Sequence, residues 1–214
     1  MTVKALIFDF DGTIANSFEA TIGIANALAP VFGYRPAKPE EIEQLRSWSY
    51  RRVATEFGVA WHKIPLIAAR IRKELSKNIS KVETFEGLPS VLGELRARGF
   101  ALGILTSNSR ANVDRFLDAR DMSQQFDFVS TSSSVWGKQR RLKSLLRSQG
   151  LRATDVAYVG DEVRDIDASK PLGICAVAVG WGYSAPEHLS AHHPNHLVRR
   201  PSELLEIFAQ PNAP

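Results

Sequence analysis

The stretch Val3-Lys4-Ala5-Leu6-Ile7-Phe8-Asp9-Phe10-Asp11-Gly12-Thr13 decides how this chain is read. Val3, Ala5, Leu6, Ile7 and Phe8 make an apolar run of strand length, and a run of that kind marks a strand covered on both faces. Gly12 ends it. Two carboxylates, Asp9 and Asp11, follow one residue apart. Like charges so close repel, so each must be stabilised by a cation or by holding a proton. A strand tip that offers both to one crevice suits Mg²⁺. It equally suits a reaction divided between a nucleophile and an acid/base.

Outward from this strand, four more short apolar runs appear. They are Ala101-Leu102-Gly103-Ile104-Leu105, Phe126-Asp127-Phe128-Val129, Val156-Ala157-Tyr158-Val159 and Cys175-Ala176-Val177-Ala178-Val179. Helical patterns separate most of them. Val113, Phe116 and Leu117 share one helix face, and Leu142, Leu145 and Leu146 share another, with Gly150 as a stop. Strands alternating with helices predict an α/β fold, a Rossmann-like parallel sheet of at least five strands with helices on both faces. Ligands of such sheets bind beyond the carboxyl ends of the strands. Asp9 and Asp11, Thr106-Ser107-Asn108, and Gly160-Asp161-Glu162 all fall at such ends, and Ser130-Thr131-Ser132-Ser133-Ser134 forms a polar loop after the third run.

Residues from Asn16 to Thr84 show no strand. Asn16 with Glu19 fits a capping box, and Phe18, Ile22, Ala25 and Ala29 follow on one face. After a break at Arg35-Pro36-Ala37-Lys38-Pro39, a stripe of Ile64, Ile67, Ile71, Leu75 and Ile79 predicts another helix. The division expected is a core of residues 1–15 and 85–214, with an inserted helical unit over 16–84. Gly87 marks the re-entry turn, and residues 210–214 are expected to fray.

Composition narrows the function. With one cysteine, Cys175, no intrachain disulfide can form, and its apolar surroundings make it a core residue. No signal-peptide pattern or membrane-length apolar run is present, which places the chain in the cytoplasm by default. A net charge of +4 is compatible with anionic substrates. The densest basic clusters, Gln139-Arg140-Arg141-Leu142-Lys143 and Arg199-Arg200, fit solvated surface better than a nucleic-acid contact. His188, His192, His193 and His196 sit in a polar stretch and are expected to face solvent.

Four elements in order carry a family resemblance: Asp9-Phe10-Asp11-Gly12-Thr13, Leu105-Thr106-Ser107-Asn108, Lys138, and Gly160-Asp161-Glu162-Val163-Arg164-Asp165. They resemble the haloacid-dehalogenase-like hydrolase superfamily, in particular its phosphoglycolate-phosphatase-type members with a helical cap. The resemblance implies Mg²⁺-dependent hydrolysis of a small phosphorylated metabolite through an aspartyl-phosphate. A monomer or homodimer is expected. Asp9 is then the nucleophile and Asp11 the acid/base. Thr106, Ser107 and Asn108 hold the phosphate, and Lys138 offsets its charge. Asp9, the backbone carbonyl of Asp11 and Asp161 bind Mg²⁺, with Asp165 supporting the metal site or orienting Lys138. Lys138 departs from the family's frequent Lys-Pro by preceding Gln139; Lys143 lies too far into the helix to replace it.

Elementary electrostatics points the same way. Two unit charges about 4 Å apart interact by roughly 4 kcal/mol at an effective dielectric near 20, so a carboxylate attacking a phosphate needs nearby cations. Asp11 favours ester hydrolysis, because an alcohol leaving group needs a proton and a halide does not. Phosphomutases share that aspartate, so a sugar-phosphate mutase stays open. A phospho-accepting signalling domain is a second alternative, against which the long insertion counts, and a nucleic-acid-end phosphatase is a third. In the insertion, Arg46, Trp48, Arg51 and Arg52 are candidates for a substrate carboxylate or second phosphate.

Overall fold

The computed structural model describes residues 3–132 and 137–209, and it places the opening apolar run inside a parallel sheet. Strand β1 (Ala5–Phe8) is followed by α1 (Phe18–Phe32), α2 (Ile42–Leu45), α3 (Tyr50–Glu56), α4 (Ile64–Ser76) and α5 (Leu88–Ala97). Next come β2 (Ala101–Thr106), α6 (Arg110–Asp118), β3 (Phe128–Thr131), α7 (Lys138–Ser148), β4 (Val156–Gly160) and α8 (Val163–Ser169). The chain continues through β5 (Cys175–Val179), α9 (Pro186–Ser190), β6 (His196–Val198) and α10 (Glu203–Ile207). The strands run in the order β3-β2-β1-β4-β5-β6, which is the doubly wound Rossmann-like α/β arrangement expected.

Side-chain alternation along β1 explains why both sheet faces are covered. Leu6 and Phe8 join a core with Leu88, Leu92 and Leu95 of α5 and Val113 and Phe116 of α6. Ala5 and Ile7 face the other way, onto Leu142, Leu145 and Leu146 of α7. Phe8 lies opposite Ile104 of β2 and Val159 of β4. That register brings Asp9, Thr106 and Asp161 out at one edge of the sheet. The strand order reverses beside β1, where a parallel sheet opens a crevice for a ligand.

Between Phe18 and Lys81 every regular element is a helix, with α1 packed on α4. The chain leaves and re-enters the core side by side. The Asn16 amide donates to the Glu83 carbonyl (2.8 Å), and the Thr84 hydroxyl donates to the Ile14 carbonyl (2.9 Å).

Several local expectations are corrected. Helix α1 starts after Ser17 rather than Asn16, and Asn16 is exposed. The Ser17 hydroxyl makes no cap bond because it turns to Asp11. Ile79 lies in a separate turn past α4, yet it is buried with Leu75. β3 begins two residues late, because the Asp127 carboxylate takes the Leu102 amide (2.8 Å) and ion-pairs with Arg96 (2.9 Å). Ser130 and Thr131 therefore belong to the strand, and Ser132 follows it; Ser133 and Ser134 lie outside the described residues, as does the expected frayed end at 210–214. The edge strand β6 was not expected, since its three residues start at an exposed histidine in polar sequence. Cys175 is buried, as read, and no described helix is long and apolar enough to cross a membrane.

Phe10 returns into the core between the two carboxylates and meets Phe116 edge to face, with centroids 5.1 Å apart. Both rings are fully buried. Phe116→Ala is expected to cost about 3–5 kcal/mol of stability, read as a lowered urea midpoint at unchanged m-value.

Candidate active site

The end of β1 is built so that two adjacent acids meet different surroundings. The Asp9 amide continues the strand ladder to the Val159 carbonyl (2.9 Å), which fixes its side chain at the sheet edge. Asp9 Oδ1 accepts from the Phe10 amide (2.8 Å) and Oδ2 accepts from Lys138 Nζ (2.6 Å). Lys138 is the first residue of α7, and its ammonium also bonds to Asp165. Burial alone would depress the lysine, but Asp165 and Asp9 outweigh it and hold Lys138 charged, well above its ordinary range. Asp165 sits one turn into α8, where Oδ2 accepts the Glu162 amide (3.0 Å). Burial pushes Asp165 up to about 6, against the pull of Lys138.

Asp11 faces away from this ammonium. Its carboxylate accepts from Asn108 Nδ2 (3.0 Å) and from the Ser17 hydroxyl (3.2 Å). Burial, with the Asp9 charge added, raises it to about 6, so Asp11 holds a proton part of the time near neutral pH. Asn108 is itself fixed: its Oδ1 accepts from the Ser109 amide and from Asn112 Nδ2, both at 2.8 Å. Thr106 Oγ1 accepts the Asn108 amide (2.9 Å), which leaves the threonine hydroxyl proton free to donate.

Asp161 follows β4 and is fully buried. It accepts from the Thr13 hydroxyl and from the Tyr183 amide, both at 2.7 Å. One oxygen each of Asp9, Asp161 and Asp165 lies within 4.8 Å of the others. Burial raises Asp161 well above the ordinary carboxylate range, and Glu162, Asp165 and Asp9 add to it. Acidic oxygens that outnumber the one ammonium fit a hard divalent cation. Close packing defines this pocket. Gly12 has φ +80°, and a Cβ there would collide with Asp161 and the Tyr183 ring; a Cβ on Gly182 would strike Asp161 and the Gly12 carbonyl.

Comparison with known proteins fits this arrangement. The model of the haloacid dehalogenase-like hydrolase family matches residues 6–179. This chain belongs to that family. It is 38% identical over 209 residues to a phosphoglycolate phosphatase of Synechococcus elongatus, covering 97% of this chain and 98% of that one. It is 27% identical to the pyrophosphatase PpaX of Bacillus velezensis, over 96% of both chains. A haloacid dehalogenase-like hydrolase of Streptococcus pneumoniae shares the fold with a TM-score of 0.79 at 21% identity, over 97% of this chain and 99% of that one. The resemblance read from the four motifs holds, and the chain is an enzyme, a phosphatase of the haloacid-dehalogenase-like family.

Within this hydrolase, the structure brings Asp9, Asp161, Asp165 and Lys138 together, and it puts Asp11 with Asn108 on the adjoining side. Ser107 lies between Thr106 and Asn108 at the end of β2. The N-cap of α6 is Ser109, whose hydroxyl accepts the Asn112 amide (3.3 Å). Lys143 is exposed, as expected. The histidine stretch joins no metal-holding group among the described residues. Arg46 is drawn away from any substrate role: its Nη1 donates to the Gly182 carbonyl (2.6 Å) and its guanidinium covers the Phe18 ring. Arg52 stacks on Trp48 and Arg51 lies over Trp61.

Three site residues escaped the sequence. Ser17 links Asp11 to Tyr183 (3.1 Å), and the Tyr183 hydroxyl also meets Thr21 (2.7 Å). Arg141 is half-buried rather than fully solvated; its Nη1 reaches the Thr106 carbonyl (3.3 Å), and its buried Nε has no hydrogen-bond partner among the described residues. Gly180-Trp181-Gly182-Tyr183, directly after β5, was the one available signal, since it too lies past the carboxyl end of a strand.

Lys138→Met strands buried carboxylates without their cation, and it is expected to cost about 3–5 kcal/mol in metal-free buffer at pH 8. Asp165 has a raised folded-state value, so its contribution is favourable in acid and is lost as pH rises through about 6. The penalty should therefore shrink at pH 4, as urea unfolding at both pH values would record.

Proposed function

We propose that this hydrolase cleaves a small phosphate monoester, phosphoglycolate-like, through an aspartyl-phosphate on Asp9. The carrying observation is that two neighbouring carboxylates have been given different environments. Asp9 is kept beside a buried ammonium, whereas Asp11 is held near pH 6 by burial, at hydrogen-bonding distance from Asn108 and Ser17. Such a divergence suits a nucleophile paired with an acid/base.

In the first step an Asp9 oxygen bonds to phosphorus and the ester oxygen leaves with the proton of Asp11. In the second, Asp11 takes a proton from water as that water attacks phosphorus, releasing inorganic phosphate and restoring Asp9. The Thr106 hydroxyl and the Ser107 amide hold phosphate oxygens, and Lys138 balances charge on Asp9 and the phosphate. Asp9, Asp161 and the Asp11 carbonyl would hold Mg²⁺, and Asp165 would steady Lys138. The chemistry Mg²⁺ supplies there is neutralisation of phosphate and carboxylate charge. Residues 16–84 act as the cap over a core of 1–15 and 85–214, which the side-by-side exit and return at Asn16–Glu83 supports.

A panel of phosphate esters, including 2-phosphoglycolate, tests this. Turnover with Mg²⁺ that disappears with chelator is expected. Asp9→Asn should lower kcat about a thousandfold or more and abolish acid-quenched phosphoenzyme; labelled phosphoenzyme in that variant would overturn the assignment. A mutase would instead isomerise a sugar phosphate without releasing phosphate.

A further inference from the structure

Beside the catalytic crevice lies a groove of about 660 Å³, lined by Arg72 and Lys73 of α4, Ser107 and Asn108 after β2, and Arg110 and Arg115 of α6. None of its lining residues is a carboxylate. Two of its four cations are already engaged: Arg110 pairs with Asp114 (2.8 Å), and Arg115 donates to Asn112 Oδ1 (2.6 Å). The side chains of Arg72 and Lys73 make no hydrogen bond or ion pair with a described residue, whereas Arg70 of α4 and Lys77, just past its end, both pair with Glu74. Adjacent cations that face a groove without a direct carboxylate partner favour an anion there.

The position of the groove ties it to the reaction. Under the phosphatase proposal, the leaving oxygen must face the Asp11 carboxyl that protonates it. That carboxyl is bonded to Asn108 Nδ2, and Asn108 is part of the groove wall. Through Asn108 the groove therefore adjoins the side of Asp11 on which the leaving alcohol would lie. We infer that the leaving alcohol carries a second anionic group, a carboxylate or a second phosphate, which Arg72 and Lys73 hold in this groove. Selectivity for doubly anionic esters would then be set by α4, and not by Arg46, Arg51 or Arg52, whose guanidinium groups are stacked on aromatic rings. The inference rests on the phosphatase proposal for the site beside it.

Binding separates the two claims, because it needs no turnover. Phosphonoacetate carries both anionic groups; ethylphosphonate lacks the carboxylate. Titration calorimetry with Mg²⁺ present should show wild type preferring phosphonoacetate. In Arg72→Gln/Lys73→Gln that preference should fall by about tenfold or more, as loss of charge-assisted bonds implies. Gln keeps helix propensity, and Lys73 is exposed, so Lys73→Gln alone provides a second variant that should lose part of the preference. An unchanged preference in both variants would overturn the inference. Comparing 2-phosphoglycolate and ethylene glycol bisphosphate with 2-hydroxyethyl phosphate as substrates then decides between carboxylate and phosphate. Wild type turning over none of the three would defeat the phosphatase proposal; turnover without preference for either anionic ester would defeat the groove.

Discussion

One buried ammonium among several buried carboxylates constrains everything around it. Lys138 bonds to Asp9 and Asp165, and all three side chains are almost completely withdrawn from water. Charges removed from water are tolerated only when their partners are held in place. The chain meets that demand with three rigid anchors. Asp9 is locked by the β1–β4 ladder, Lys138 begins α7, and Asp165 is tied to the backbone at the start of α8. Each anchor belongs to or directly follows an element with at least one face in the buried core, so the site inherits its precision from packing. The remaining excess of acid, centred on Asp161, makes the crevice receptive to a cation.

A second set of contacts joins this centre to the helical segment. The loop after β5 gives Asp161 the Tyr183 amide, gives Arg46 the Gly182 carbonyl, and places the Tyr183 hydroxyl between Ser17 and Thr21. Ser17 stands just before α1 and also donates to Asp11. The environment of Asp11 thus depends on where the first helix of the segment begins. Through the α4 groove the same segment also meets Asn108, which bonds to Asp11.

Much of the framework was legible because its signals are local. The β1 and β5 runs are continuous and apolar, the α6 and α7 stripes keep helical spacing, and acids or hydroxyls stand where strands end. Errors arose where a tertiary partner overruled a local preference. Asn16 had the better cap pattern, but Asp11 recruits Ser17. The Asp127 carboxylate displaces the start of β3 by binding the Leu102 amide. Arg141 sits in a run of basic residues that would pass for solvated surface, and only the fold turns it toward Thr106.

By itself the amino-acid order determined the parallel α/β class, the long helical segment after the first strand, and the four stretches that meet at the candidate site. These follow from run length and periodicity, which are properties of neighbouring residues. Tertiary structure alone decided that Lys138 reaches both Asp9 and Asp165, that Arg46 is occupied by Gly182, and that Arg72 and Lys73 border Asn108. Those pairings span tens to more than a hundred positions of chain. Their existence depends on how sheet register and helix packing converge in space, which no local pattern encodes.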